Sequence, residues 1–209
     1  MENVLLSSFD ETPFAKTSPK DFIPAFNKWL KAAQKEVEAI ANQTTTPTFK
    51  NTVEALEFSG MPLHRISAFF FNINSAHTSP EIQKIAQEIA PKLSHFKNEI
   101  LFNGALFKRI EHVYKTSEKS ALTPEQHTLL TQQYLGFYRN GATLPLKQKD
   151  QLKTISAKLT TLSLQFGENV LAETNAFTLH ITDKQELDGL PESVMTQAAL
   201  TAKAQQKQG

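Results

Sequence analysis

Six histidines, at positions 64, 77, 95, 112, 127 and 180, are the side chains of this sequence best suited to proton transfer or metal ligation near neutrality. Zinc hydrolysis would ask for two of them four residues apart on a helix with a glutamate between. Both imidazoles could then reach one ion while the carboxylate worked on its bound water. No pair has that spacing, and none of the six is followed by Glu. The seven glycines form neither a phosphate-binding loop nor a Gly-x-Ser-x-Gly nucleophile turn. Cysteine is absent, which removes disulfides and thiolate metal sites and fits a reducing compartment. Carboxylates do occur in pairs, Glu36 with Glu38 and Glu54 with Glu57, but on helical segments studded with lysine. Solvated helix faces are the ordinary setting of such residues.

His77 is the most suggestive of the six, because it stands between the run Phe69, Phe70, Phe71 and the stretch "HTSPEIQ". Thr78 and Glu81 have the spacing of a capping box, and Pro80 falls within the first turn of the helix that it opens. His77 therefore falls in a tight connection, where it helps to close the preceding helix; catalysis would need a constellation, and none is in view. His180 alternates with Phe177, Leu179 and Ile181, so a polar or wet strand face is its expected place.

The elements that hold these residues are nearly all helices. "TSPKDF" offers Thr17 or Ser18 as a cap with Pro19 at the first helical position, and Phe26, Trp29, Leu30, Ala33, Val37 and Ile40 then recur at helical steps. After "NQTTTPT", a short helix in "FKNTVEALEFSG" ends at Gly60, and a third carries Leu63, Ile66, Phe69, Phe70 and Ile73. Its three consecutive phenylalanines cover more than one face, so it is expected to pack on two sides. A helix over 80–102 is expected to bend at Pro91. Another starts at Asn103, lined by Leu106, Phe107, Ile110, Val113 and Tyr114. The next opens on a second capping box, Thr123 with Gln126, and stops at Gly141. The longest periodic stretch runs over 146–173, with Leu152, Ile155, Leu159, Leu162, Phe166 and Val170 in one seam. Only 177–182, "FTLHIT", has the period of a strand. A last helix starts at Pro191 and reads as still running when the chain stops. The expected fold is mainly α, an irregular multi-helix bundle with one short strand at 177–182, spanning 1–209 without a dividing linker or a repeat of fixed period.

Charge narrows the partners. Lys and Arg number 22 against 21 Asp and Glu, a formal net charge of +1 with the signs interspersed, which argues against nucleic acid and against a polybasic membrane anchor. No window is apolar enough for a membrane span, and "MENVLLSSFDETPF" lacks the form of a signal peptide, so a cytoplasmic setting is expected.

Several blocks, in order, carry a resemblance: "FKNTV" with "ALEFSG", then "FFFNINSAHTSPEIQ", "ILFNGALFKRIEHVY", "LKTISAKLTTLSLQFGENVLAETNAFTLHITD" and "ELDGLPESV". Together, from about Phe9 to Lys207, they resemble the N-terminal region of the thimet oligopeptidase family of zinc metallopeptidases, which includes oligopeptidase A, neurolysin and bacterial peptidyl-dipeptidase. "AHT" and "NGALFKRI" are most similar to the peptidyl-dipeptidase branch, whose members release dipeptides from free peptide C-termini. The resemblance implies a zinc ion held by the histidines of His-Glu-x-x-His and a downstream glutamate, all in a catalytic portion beyond residue 209. No catalytic, cofactor-binding or metal-binding residue of the family maps onto this chain. The resemblance further implies a truncated, inactive helical wall of a channel that admits short peptides, its partner being the missing C-terminal catalytic domain. A free-standing helical interaction module is the alternative that the absent catalytic groups leave open.

Overall fold

The computed structural model describes residues 3–7, 9, 11–117 and 121–207. Among them every regular element is helical: α1 (Phe22–Ala41), α2 (Ala55–Phe58), α3 (Met61–Ala76), α4 (Pro80–Leu101), α5 (Gly104–Thr116), α6 (Pro124–Arg139), α7 (Leu146–Ala176) and α8 (Glu192–Ala204), with 3-10 turns near the N-terminus and before α8. Contacts group the chain into one unit up to Leu164 and a second from Gln165 onward.

In the first unit, helix entry follows local chemistry. The Asp21 carboxylate accepts hydrogen bonds from the Ser18 hydroxyl at 2.7 Å and the Ser18 N–H at 2.8 Å, and these bonds hold its pKa below the usual carboxylate value. That box closes the 3-10 turn Pro19–Asp21, from which α1 continues. Asn103 caps α5 through the Leu106 N–H, and Thr123 with Gln126 boxes α6 as expected. At α4 the cap is Ser79, whose hydroxyl accepts from the Ile82 N–H at 3.2 Å. Thr78 does not take that place, because Pro80 occupies the first helical position and so makes its neighbour the cap; the Thr78 hydroxyl turns back to Asn74 instead.

α1 and α3 form the centre of this unit. Phe22, Ala25, Phe26, Ala33, Val37 and Ile40 of α1 are buried, with Trp29 and Leu30 packed at the margin. They face Leu63, Ile66, Phe69 and Phe70 of α3. The Phe70 ring is fully buried and meets Phe22, Phe26 and Phe71 at centroid distances of 4.9, 5.6 and 5.1 Å, in each case edge to face. Phe69 extends the cluster in another direction, to Phe14 at 5.0 Å and Phe9 at 6.5 Å. The phenylalanine run therefore packs on more than one side. Gly60, with φ of +68°, lets the backbone turn into α3 close to α1: a Cβ there would stand 3.3 Å from that of Ala33. α4 runs unbroken through Pro91 and adds Ile82, Ile85, Ala86, Ile89 and Phe96. α5 and α6 close the unit through Leu106, Ile110, Phe107 and Phe137. Gly141 ends the α6 segment at φ of +95°, where a Cβ would lie 2.7 Å from a methyl of Leu144.

α7 is the longest helix, as its periodicity predicts, but it holds no buried residue. Its inner contacts are light, Lys149 to the Phe102 carbonyl and Thr160 to Ser94, while Ile155, Leu159 and Leu162 remain 50% or more exposed.

In the second unit the expected strand is absent. Residues 177–182 are not in regular structure and form no ladder among the described residues, with Phe177 77% and Leu179 71% exposed. Alternation of apolar and polar residues suits a strand, but a strand exists only with a neighbour to pair with. The last helix also differs from expectation: it ends at Ala204, and Gln206 follows with φ of +57°.

The burial pattern predicts that Phe70→Ala costs about 3–5 kcal/mol in urea unfolding, while Phe166→Ala, at a ring 71% exposed, changes stability by no more than about 0.5 kcal/mol. Similar costs at the two positions would contradict this account of the core.

Candidate functional site

The histidines are dispersed. His77 is the C-cap residue of α3, its N–H bonded to the Ile73 carbonyl at 2.8 Å and its side chain exposed, the closing role that its position suggests. His95 pairs along α4 with Glu99 at 3.2 Å. His180 is exposed and lines a groove of the second unit beside Thr178 and Leu179. Among the described residues no three His, Asp or Glu side chains come close enough to hold a metal ion.

Of the paired carboxylates Glu36, Glu38 and Glu57 are exposed and Glu54 is half-buried, and two of the four tie elements together. Glu36 Oε2 accepts from the Gly60 N–H at 2.7 Å and thereby joins α1 to the start of α3. Glu57 Oε2 accepts from Gln133 Nε2 at 3.1 Å, and the same amide donates to the Val53 carbonyl, which links α2 to α6. These are tethers between helices, one carboxylate at a time.

The most elaborate polar assembly was not singled out from sequence: the buried Arg109 of α5. Its Nη1 donates to the carbonyls of Gln43 at 2.9 Å and Thr45 at 3.0 Å. Its Nη2 donates to Gln43 Oε1 at 3.2 Å, Asn51 Oδ1 at 3.1 Å and Thr52 Oγ1 at 3.2 Å. Asn51 is shared, since its side chain also forms a capping box with Thr48 at the head of the π-helical turn Phe49–Glu54. All five acceptors are neutral. Burial pushes the Arg109 pKa below its ordinary value, and only Nε lacks a partner among the described residues. Among the described residues no carboxylate pairs with this guanidinium, and its chemistry is that of a lock that fastens the loop 42–48 to α5. The signal in the sequence was its register: Arg109 lies three residues after Leu106 and four before Val113, on the apolar stripe of its helix.

No family model matches the chain. Curated relatives do. The chain is 34% identical over 180 residues to dipeptidyl carboxypeptidase of Salmonella typhimurium, an alignment that covers 86% of this chain and 26% of that protein. It is 32% identical over 196 residues to dipeptidyl carboxypeptidase of Escherichia coli, covering 94% of this chain and 28% of that protein. Oligopeptidase A of Escherichia coli is 28% identical across all 209 residues, which make up 31% of its length. The chain thus spans between about a quarter and a third of these relatives, at their N-terminal end.

Arg109→Ala removes the donors from five acceptors and is expected to cost about 2–4 kcal/mol in urea unfolding, with Arg109→Lys recovering only part because an ammonium cannot span the set. Wild-type stability in either variant would contradict the lock. Zinc added to the chain and dialysed against a chelator should leave none bound; stoichiometric retained zinc would contradict the reading of the dispersed histidines.

Proposed function

We propose, from the premise that this chain matches the N-terminal region of the thimet oligopeptidase, oligopeptidase A and peptidyl-dipeptidase family, that it is the helical, non-catalytic portion of a zinc-dependent peptidyl-dipeptidase acting in the cytoplasm. The observation that carries this is the coverage: nearly all of this chain aligns with a quarter to a third of each peptidase. In this reading the chain shapes one wall of a channel that admits short, unfolded peptides and keeps folded proteins from the scissile position. The residues that hold zinc, activate water and cut lie in the portion outside the match, and the scattered histidines agree with that division of labour. No helix among the described residues is long and apolar enough to cross a membrane.

The peptidyl-dipeptidase form is favoured by the two dipeptidyl carboxypeptidases, at 34% and 32% identity. An oligopeptidase A type of endopeptidase is the second reading, favoured by an alignment that reaches all 209 residues. Both assign the same part to this chain.

The test replaces the aligned N-terminal region of the Escherichia coli dipeptidyl carboxypeptidase with this chain. The chimera is expected to release C-terminal dipeptides from a free peptide, and the chain alone is expected to release nothing above buffer. Hydrolysis by the chain alone, or a folded chimera without activity, would overturn the proposal.

A further inference from the structure

The chain has only three tyrosines, Tyr114, Tyr134 and Tyr138, and the fold gathers all of them into one stack on α5 and α6. Tyr114 of α5 lies face to face with Tyr134 of α6, the ring centroids 4.0 Å apart and the planes within 7° of parallel. Tyr138 continues the stack from Tyr134 at 6.1 Å and 24°, and the buried Phe107 lies along Tyr134 at 5.9 Å and 16°. The stack is open to solvent at both ends, with Tyr114 39% and Tyr138 53% exposed and Tyr134 half-buried between them. Phenol, thiol and indole are the side chains that give up a single electron most readily. Here cysteine is absent, and the one indole, Trp29, is half-buried with its Nε1–H bonded to the Leu5 carbonyl at 2.7 Å. A one-electron oxidant that meets this protein therefore finds its accessible reductant in the tyrosine stack.

We propose that Tyr114 and Tyr134 form a site of oxidative modification, where hydrogen peroxide acting through a haem peroxidase joins the two rings and staples α5 to α6. Each phenol gives up one electron and its hydroxyl proton and becomes a phenoxyl radical. The two radicals couple at the ring carbons ortho to oxygen, which forms one carbon–carbon bond. The hydrogen on each of those carbons then leaves as a proton, and each phenol oxygen regains one. In sum two C–H bonds are broken, and hydrogen peroxide takes up the two electrons and two protons and leaves as two waters. Geometry selects the pair, because rings held in contact react as one molecule rather than as two that must meet by diffusion. Tyr114 and Tyr134 are in face-to-face contact, whereas Tyr138 stands 6.1 Å from Tyr134 on the same helix. Tyr114 also lies near the end of α5, which closes at Thr116, and its exposure leaves the ring room to turn out of parallel as the bond forms. The inference is independent of the peptidase reading.

The test treats the dilute 209-residue chain with a haem peroxidase and hydrogen peroxide, and follows dityrosine fluorescence, intact mass and a tryptic peptide map. Wild type is expected to give a monomer lighter by two hydrogen atoms, in which peptide 110–115, with Tyr114, is joined to peptide 120–139, with Tyr134 and Tyr138. Tyr114→Phe and Tyr134→Phe keep the rings, which circular dichroism checks through an unchanged helix content, and are each expected to lose the joined peptide. Tyr138→Phe is expected to retain it. Wild type unfolded in urea is expected to lose it as well, with free tyrosine in the same solution confirming that the oxidant still acts. A folded chain that yields no joined peptide would overturn the proposal, as would one whose only product is a covalent dimer. An equal yield in urea would show that the fold does not select the pair, and a joined peptide that survives Tyr134→Phe would make Tyr138 the partner; either result overturns it.

Discussion

Burial of the Phe70 ring is the interaction on which the rest of the structure depends. It brings α1 and α3 together at edge-to-face distances of 4.9 and 5.6 Å from Phe22 and Phe26, and its neighbour Phe69 draws in the N-terminal segment through Phe9 and Phe14. Once that pair of helices is fixed, α4 has a face to cover, and the connection between α1 and α3 packs against α5. The Arg109 lock works on that connection. It satisfies carbonyl and side-chain oxygens of the loop 42–48 and the turn after it, groups whose burial without partners would be costly.

The same apolar requirement goes unmet from α7 onward. No side chain of α7, of the stretch 177–182 or of α8 is buried, although these segments carry large apolar residues, among them Leu159, Phe166, Phe177 and Leu200. The proposed place of the chain, as the N-terminal portion of a longer peptidase, gives that surface a purpose. It also accounts for helices that are finely capped and tethered while their titratable groups are left scattered.

What the sequence made legible follows from the range of the physics involved. Caps and stops are local: Asn103, Thr123 with Gln126, and Gly141 act within a turn, and each lies where its pattern puts it. The exchange of Thr78 for Ser79 at the head of α4 is a choice between adjacent hydroxyls that the proline decides. Residues 177–182 misled because alternation defines two faces and says nothing about a neighbouring strand. Arg109 escaped because a buried guanidinium is a tertiary fact, made by acceptors between 57 and 66 residues away. The tethering roles of Glu36 and Glu57 are hidden for the same reason. The family resemblance, by contrast, extends from about Phe9 to Lys207, and the relatives bear out the region it pointed to.

Hydrogen exchange tests the central claim most directly, comparing the 209-residue chain alone with the same chain joined to the C-terminal remainder of a relative. Amides in Phe22–Ala41 and Met61–Ala76 should exchange slowly in both states, and those across 177–207 should exchange rapidly alone and become protected in the joined form. Equally slow exchange across 177–207 in the chain alone, in a monomer, would show that the segment needs no cover and would contradict the account.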